Sequence, residues 1–167
     1  MYPTLALKGS VLVQTLPSGP NYPTDNYQRL LVAALYEARE HVVLTTPYFV
    51  PDEPFMQALE VAVRRGVKVD LIVPERFDQV LVGAASRAYY DDLIAVGVNV
   101  HLYRPGLLHS KTMRIDRSLA LIGTSNFDIR SFTLDFEVNL ICYGPEMTDR
   151  LREVQNAHKS GHNIIFY

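Results

Sequence analysis

Hydrophobic and polar positions along the chain switch repeatedly between the two-residue period of a strand and the 3.6-residue period of a helix. Residues 11–16 read as a first strand that ends at the turn signal Pro17-Ser18-Gly19-Pro20. Thr24 or Asp25 can cap a helix to Glu40, with Leu30, Leu31, Ala34, Leu35 and Ala38 on one stripe. Residues 42–49 form a β-branched and aromatic strand stopped by Pro51. Asp52 then caps a second helix, with Pro54 in its first turn, that leaves through Arg64-Arg65-Gly66. A strand at 67–73, a third helix at 79–96 with its exit at Gly97, and a strand at 98–103 continue the alternation. From there the pattern changes: short strands at 109–115, 119–122 and 136–143 have no helix between the first two, and a helix at 146–158 closes the chain. The spacing predicts an α/β fold over residues 1–167 as one domain, with a mixed, mainly parallel sheet flanked by helices on both faces and an antiparallel part after His101.

Composition narrows the class without naming an activity. The chain has 167 residues, 48% of them apolar and 20% charged, with one cysteine and no tryptophan. These values fit an ordinary globular domain and exclude a disulfide framework or a cysteine-rich zinc module. No apolar run approaches the roughly 18–20 residues of a membrane span, and the N-terminus does not read as a signal peptide. The net charge of −2 argues against bulk electrostatic binding of nucleic acid. One stretch departs from that balance. Residues 101–132 carry five basic side chains (Arg104, Lys111, Arg114, Arg117, Arg130) against Asp116 and Asp128, which points to an anionic ligand or to a solvated basic face.

Inside that stretch stand His109-Ser110-Lys111, Asp116, Gly123-Thr124-Ser125-Asn126 and, beyond it, Glu137. On a strand, His109 and Lys111 share one face and Asp116 the other. Imidazole is a competent nucleophile toward a phosphodiester near neutral pH, and an ammonium beside it neutralises phosphate oxygens as charge builds. Asn126, on a tight turn with Thr124 and Ser125, can donate its amide to the same oxygens. Glu137 can accept a proton from the other ring nitrogen of His109 and hold its tautomer. A histidine followed two residues later by lysine is weak by itself. Asp at +7, Gly at +14 and Asn at +17 bring the chance expectation to on the order of 10⁻⁵ for this composition.

These residues resemble the signature of the phospholipase D superfamily, the HKD motif, in which His-x-Lys-x4-Asp is followed after six residues by Gly-(Ser/Thr)-x-Asn. The similarity is greatest to the C-terminal catalytic half of bacterial cardiolipin synthases. It runs in order over residues 11–143 through Pro17-Ser18-Gly19-Pro20, Thr45-Thr46-Pro47-Tyr48-Phe49-Val50-Pro51, Ala85-Ser86-Arg87-Ala88-Tyr89-Tyr90, Asn126-Phe127-Asp128-Ile129-Arg130-Ser131 and Phe136-Glu137-Val138-Asn139. The resemblance implies phosphatidyl transfer from one phosphatidylglycerol to another, giving cardiolipin through a phosphohistidine, with no metal and no cofactor. It implies His109 as one of two active-site histidines, Lys111 and Asn126 as phosphate binders, Glu137 as the orienter of His109, and Asp116 as a motif residue that holds a turn. Thr124 takes a place where serine is commoner, and with Ser125, Tyr48 and Arg130 it is expected among the substrate-binding residues.

The departures set the partners expected. A family site uses two HKD motifs and this chain carries one, since His41, His101, His158 and His162 all lack lysine at +2. The second motif then comes from a homodimer partner or from a missing N-terminal half, and the blocks favour a fragment of a longer synthase. Family synthases carry N-terminal membrane helices and are membrane-associated. The expected partners are a phospholipid and a membrane surface, with no specific nucleic acid. Two alternatives stand beside phosphatidyl transfer: phosphodiester hydrolysis by a homodimer, of the phospholipase or nuclease type, and a catalytically incomplete lipid-binding or assembly half. His158 and His162 have a helical zinc spacing, but Ser160-Gly161 favours a helix end and no third ligand is near. Cys142 reads as a buried filler. Tyr48 and Phe49 read as lining the lipid site or as core, and Arg130 as a headgroup ligand or the partner of a carboxylate.

Overall fold

The computed structural model describes residues 9–22, 24–77 and 80–160. The elements in chain order are β1 (Leu12–Ser18), α1 (Asn26–Glu37), β2 (His41–Thr45), β3 (Phe49–Val50), α2 (Glu53–Arg64), β4 (Lys68–Pro74), α3 (Val80–Ala88), α4 (Tyr90–Val96), β5 (Asn99–Tyr103), β6 (Thr112–Ile115), β7 (Leu119–Gly123), β8 (Phe127–Asp128), α5 (Ile129–Thr133), β9 (Glu137–Tyr143) and α6 (Pro145–Lys159). A seven-stranded sheet has the order β1-β9-β7-β6-β2-β4-β5, and β3 pairs with β8 as a separate two-stranded ribbon. The sheet is mixed and flanked by helices, as the alternating periods imply, but the expected predominance of parallel strands does not hold. Pairing is parallel only at β2–β4 and β4–β5, and antiparallel at β1–β9, β2–β6, β6–β7 and β7–β9. Parallel neighbours need a long crossover. From β6 to β7 the chain instead turns through Asp116, Arg117 and Ser118 alone.

Three other elements differ from expectation for local reasons. The strand expected at 42–49 divides, because Pro47 offers no N–H to a ladder and the Thr46 hydroxyl bonds the Tyr48 backbone carbonyl at 2.7 Å. The Tyr48–Val50 segment thereby leaves the main sheet and meets β8. The helix expected at 79–96 breaks into α3 and α4 at Tyr89. On one side, Ser86 Oγ accepts from the Phe49 backbone N–H at 3.1 Å and ties α3 to the ribbon, while Leu93 on α4 is fully buried in the main core. The strand expected at 109–115 begins only at Thr112. Asp52 caps α2 as the sequence predicts, accepting from the Phe55 N–H at 3.1 Å.

The alternation of β2 shows how the layers arise. Val42 and Leu44 join the main core with Leu31 and Leu35 of α1, Phe55 and Leu59 of α2, and Leu93 of α4. Val43 projects to the other face, where Ile72 and Leu108 meet it. On that second face α6 lies across β5, β6, β7 and β9, with Leu151 against Ala120 and Cys142. Cys142 is buried, which pushes its thiol up. An aromatic cluster fills the main core under the ribbon: Phe55 stacks on Phe127 at 5.9 Å and meets Phe132 at 5.8 Å, and Tyr27 reaches Phe132 at 5.7 Å. Phe49, 6.4 Å from Phe55, belongs to this cluster rather than to a surface site.

Two carboxylates fasten the sheet. Asp116 has a positive φ of 50° in the β6–β7 turn, a conformation that Asp tolerates better than most residues. Its carboxylate accepts three consecutive backbone N–H groups at the start of β2, from Arg39 (3.0 Å), Glu40 (2.9 Å) and His41 (2.7 Å). Asp70, 1% exposed on β4, accepts from His41 Nε2 (2.8 Å), His101 Nε2 (3.1 Å), Asn99 Nδ2 (3.0 Å) and Lys159 Nζ at the end of α6 (2.9 Å). Arg114 donates to His41 Nδ1 at 3.2 Å. A guanidinium never accepts, so His41 carries its proton on Nε2 and gives it to Asp70. Burial by itself pushes the Asp70 carboxyl up. Hydrogen bonds from His101, His41 and Lys159 outweigh burial and hold it well below the usual carboxylate range.

Both carboxylates make testable demands. An unfolded aspartate titrates near 3.9, so the stabilisation from Asp70 is complete above that pH and is lost as the pH falls below it. Asp70→Asn is expected to unfold at lower urea than the parent at pH 7, with the gap narrowing from about pH 5 toward pH 2. A gap that stays constant over that range contradicts the linkage. Asp116→Ala leaves three N–H groups without their acceptor and puts alanine at a positive φ. The expected loss is about 2–3 kcal/mol in urea unfolding, with Asp116→Asn losing less.

Candidate active site

β6 runs antiparallel to β2, with Thr112 opposite Thr45. Residues before Thr112 therefore project past the carboxyl end of β2, at the edge where β4 and β5 also end. Functional sites of α/β sheets gather at that edge. His109 and Lys111 stand there. The Lys111 carbonyl accepts the Gly123 N–H at 3.2 Å, which ties this segment to the turn after β7.

His109 is exposed and Lys111 is buried to 9% exposure. The Lys111 ammonium lies astride the imidazole, 3.0 Å from Nδ1 and 3.1 Å from Nε2, and donates to the His109 carbonyl at 3.2 Å. The pair thus sets an imidazole against an ammonium at one point on the sheet edge, a combination of groups that can attack and neutralise a phosphodiester.

The turn that carries Asn126 is built from buried polar contacts. Gly123 faces Asn139 in the β7–β9 register. A Cβ on Gly123 would meet Asn139 Oδ1 at 2.0 Å and the Val138 carbonyl at 2.7 Å, so this position admits only glycine. Asn139, fully buried, donates to Ser125 Oγ at 2.7 Å. Tyr27 OH donates to the Ser125 carbonyl at 3.4 Å, and burial pushes the phenol well up, so it stays a donor. Ser125, expected among the substrate-binding residues, is fully buried and spends its hydroxyl on Asn139. That bond ties the turn to β9. The Asn126 N–H donates to Ser131 Oγ at 3.1 Å, while Asn126 Oδ1 is buried with no hydrogen-bond partner among the described residues.

Glu137, expected to orient His109, makes no hydrogen bond to it among the described residues. Its carboxylate accepts from the Thr124 hydroxyl and from Ser131 Oγ at 3.3 Å, and the His109 ring makes its hydrogen bonds to Lys111 among the described residues. Glu137 opens β9 at the same sheet edge as His109, next to the β7 turn, but strand order puts β7 between β9 and β6. Thr124 and Glu137 line an open groove of about 370 Å³ with Pro17, Ser18, Tyr22, Phe136 and Val138. Asp116 lies at the opposite end of β6, on the start of β2, away from His109. Tyr48 is half-buried at the entry to the ribbon. Arg130 pairs with Asp135 at 3.3 Å on the exposed surface. His158 packs edge-on against Tyr103, with ring centroids 5.4 Å apart, and His162 lies outside the described residues.

Asn139 and Ser131 received no role from the sequence, though each left a signal. Asn139 is a lone amide in the apolar run Val138–Ile141, and Ser131 follows Asp128 at the spacing of a helix cap. Asp128 accepts the Ser131 N–H at 2.8 Å, and burial pushes its carboxyl up despite that bond.

Comparison with known proteins places the chain in a family. The family described as the PLD-like domain of cardiolipin synthase matches residues 31–158. Cardiolipin synthase A of Cronobacter sakazakii is 40% identical over 153 residues, 92% of this chain. That of Pectobacterium carotovorum is 44% identical over 129 residues, 77% of this chain. The chain spans 32% and 26% of the length of these two relatives. Among solved structures, the phospholipase D family member Nuc from Salmonella typhimurium superposes with a TM-score of 0.78 at 19% identity, covering 95% of this chain and all of that one. Phosphatidylserine synthase of Haemophilus influenzae superposes with a TM-score of 0.76 at 19% identity, covering 95% of this chain and 41% of that one. These structures share the fold, and the family match over most of the chain identifies it as a phospholipase D-superfamily domain of the cardiolipin synthase type.

Proposed function

We propose that this domain supplies one half of a two-histidine site that transfers a phosphatidyl group from one phosphatidylglycerol to the hydroxyl of another. The observation that carries this reading is the His109–Lys111 contact at the carboxyl edge of the sheet, with Asn126 on a turn joined to it by the Lys111–Gly123 backbone bond. A ring nitrogen of His109 attacks phosphorus, forming a P–N bond as the P–O bond to glycerol breaks. Lys111 and the Asn126 amide take up the charge gathering on the phosphoryl oxygens. A second histidine, from another copy or another HKD half, protonates the departing alkoxide. The acceptor hydroxyl then loses its proton to that same histidine and attacks phosphorus, and the P–N bond breaks to restore His109. Thr124 and Arg130 serve as substrate contacts and Tyr48 borders the entry. Glu137, through Thr124 and Ser131, positions the Asn126 turn. The work takes place at a membrane surface, because both substrates are lipids. Transfer to water in place of lipid would be the hydrolytic form of the same chemistry.

The test assembles this chain with its second HKD half and supplies phosphatidylglycerol. Cardiolipin is the expected product, with an acid-labile phosphatidyl adduct on His109 in mass spectra of quenched samples. His109→Ala and Lys111→Ala should each lower turnover by about 10³-fold or more. Undiminished cardiolipin output from His109→Ala would overturn the reading. Phosphatidic acid as the product would assign hydrolysis instead.

A further inference from the structure

An apolar groove of about 260 Å³ opens between α3 and the ribbon, lined by Val50, Leu81, Val82, Ala85, Ile129 and Arg130, with Asp128 at its floor. The ribbon leads to it from the active site. β3 and β8 run parallel with Phe49 opposite Phe127, and both phenylalanines are fully buried in the aromatic core. Tyr48 and Asn126 immediately precede the two strands, and Val50 and Asp128, which follow the phenylalanines, line the groove. The groove thus begins two residues along the chain from Asn126, about 7 Å of extended backbone.

We infer that this groove holds a fatty acyl chain of the phospholipid whose phosphate lies at His109, an inference that rests on the function proposed above. The order of chemistry matches such a molecule: cation and amide at Lys111 and Asn126, then an aliphatic slot, with Arg130 on the rim. Leu81 is 86% exposed and Ile129 45% exposed at the groove, a cost in water that a hydrocarbon chain removes. A volume of about 260 Å³ with an aliphatic lining suits a length of extended hydrocarbon chain.

The chain has no tryptophan, so one introduced residue reports alone. Leu81→Trp places the reporter at the groove, and Tyr36→Trp places a comparable one at the far end of α1. The probe is phosphatidylglycerol with brominated acyl chains, kept below its aggregation concentration. Saturable loss of about half the emission from Leu81→Trp, with little from Tyr36→Trp, is expected, and Ala85→Glu in the Leu81→Trp protein should abolish it. Equal quenching at both positions, or quenching at neither, overturns the inference. So does an emission shift at Leu81→Trp that depends on protein concentration without lipid, which would assign the groove to a second copy. The two readings fail separately. Quenching without any adduct on His109 removes the transfer reaction and keeps the groove, whereas an adduct on His109 without quenching removes the groove alone.

Discussion

The carboxylate of Asp116, accepting three successive N–H groups at the start of β2, sets the register on which the site depends. β6 is a strand of four residues held between β2 and β7, and such a short ladder has little to resist a slip. A one-residue slip would turn every side chain to the other face of the sheet. With Ile115 held opposite Val42 and Thr112 opposite Thr45, the residues just before the strand have one place to go, the carboxyl edge. His109 and Lys111 meet there because a carboxylate at the other end of the strand fixes where the strand starts. Asp116 belongs to the motif through this distance, without approaching the reacting atoms.

The second half of the motif is held by a different device. The turn after β7 is propped from below by Asn139, which needs Gly123 to have no side chain and uses Ser125 as its acceptor. Ser131 joins this turn to Glu137 by bonding both the Asn126 backbone and the Glu137 carboxylate. The bonds that Asn139, Ser125 and Ser131 make here are buried and expensive to rearrange, and they specify the turn that carries Asn126. Of the candidate site residues, His109 is exposed and Thr124 stands at a groove, while Lys111 is buried beside His109.

The same separation of scaffold from surface runs through the rest of the fold. Asp70 gathers His41, His101 and Lys159 on the face that α6 covers, so these histidines, the only others among the described residues apart from His158, are engaged in holding α6 to the sheet. Along the ribbon, Phe49 and Phe127 fill the core while Val50 and Asp128 line the apolar groove.

Much of this was readable along the chain, because periodicity, caps and motif spacing are local properties. The α/β class, the Asp52 cap, the helices α1, α2 and α6 and the His109-Lys111-Asp116-Gly123-Asn126 constellation all follow from residue order. Pairing direction did not. The short turn at Asp116 to Ser118 helped turn a sheet expected to be mainly parallel into one with more antiparallel pairs, since ladder direction depends on what each strand meets across the sheet. Nor did the partners of polar side chains. Glu137 bonds Thr124 and Ser131 rather than His109, and Ser125 is buried under Asn139, because strand order puts β7 between β9 and β6. The sequence by itself determined which chemical groups this protein owns and roughly how far apart they lie along the backbone. Only the tertiary structure decided which of them touch, because contact across a sheet is set by strand order and register, and neither is written in the spacing of one segment.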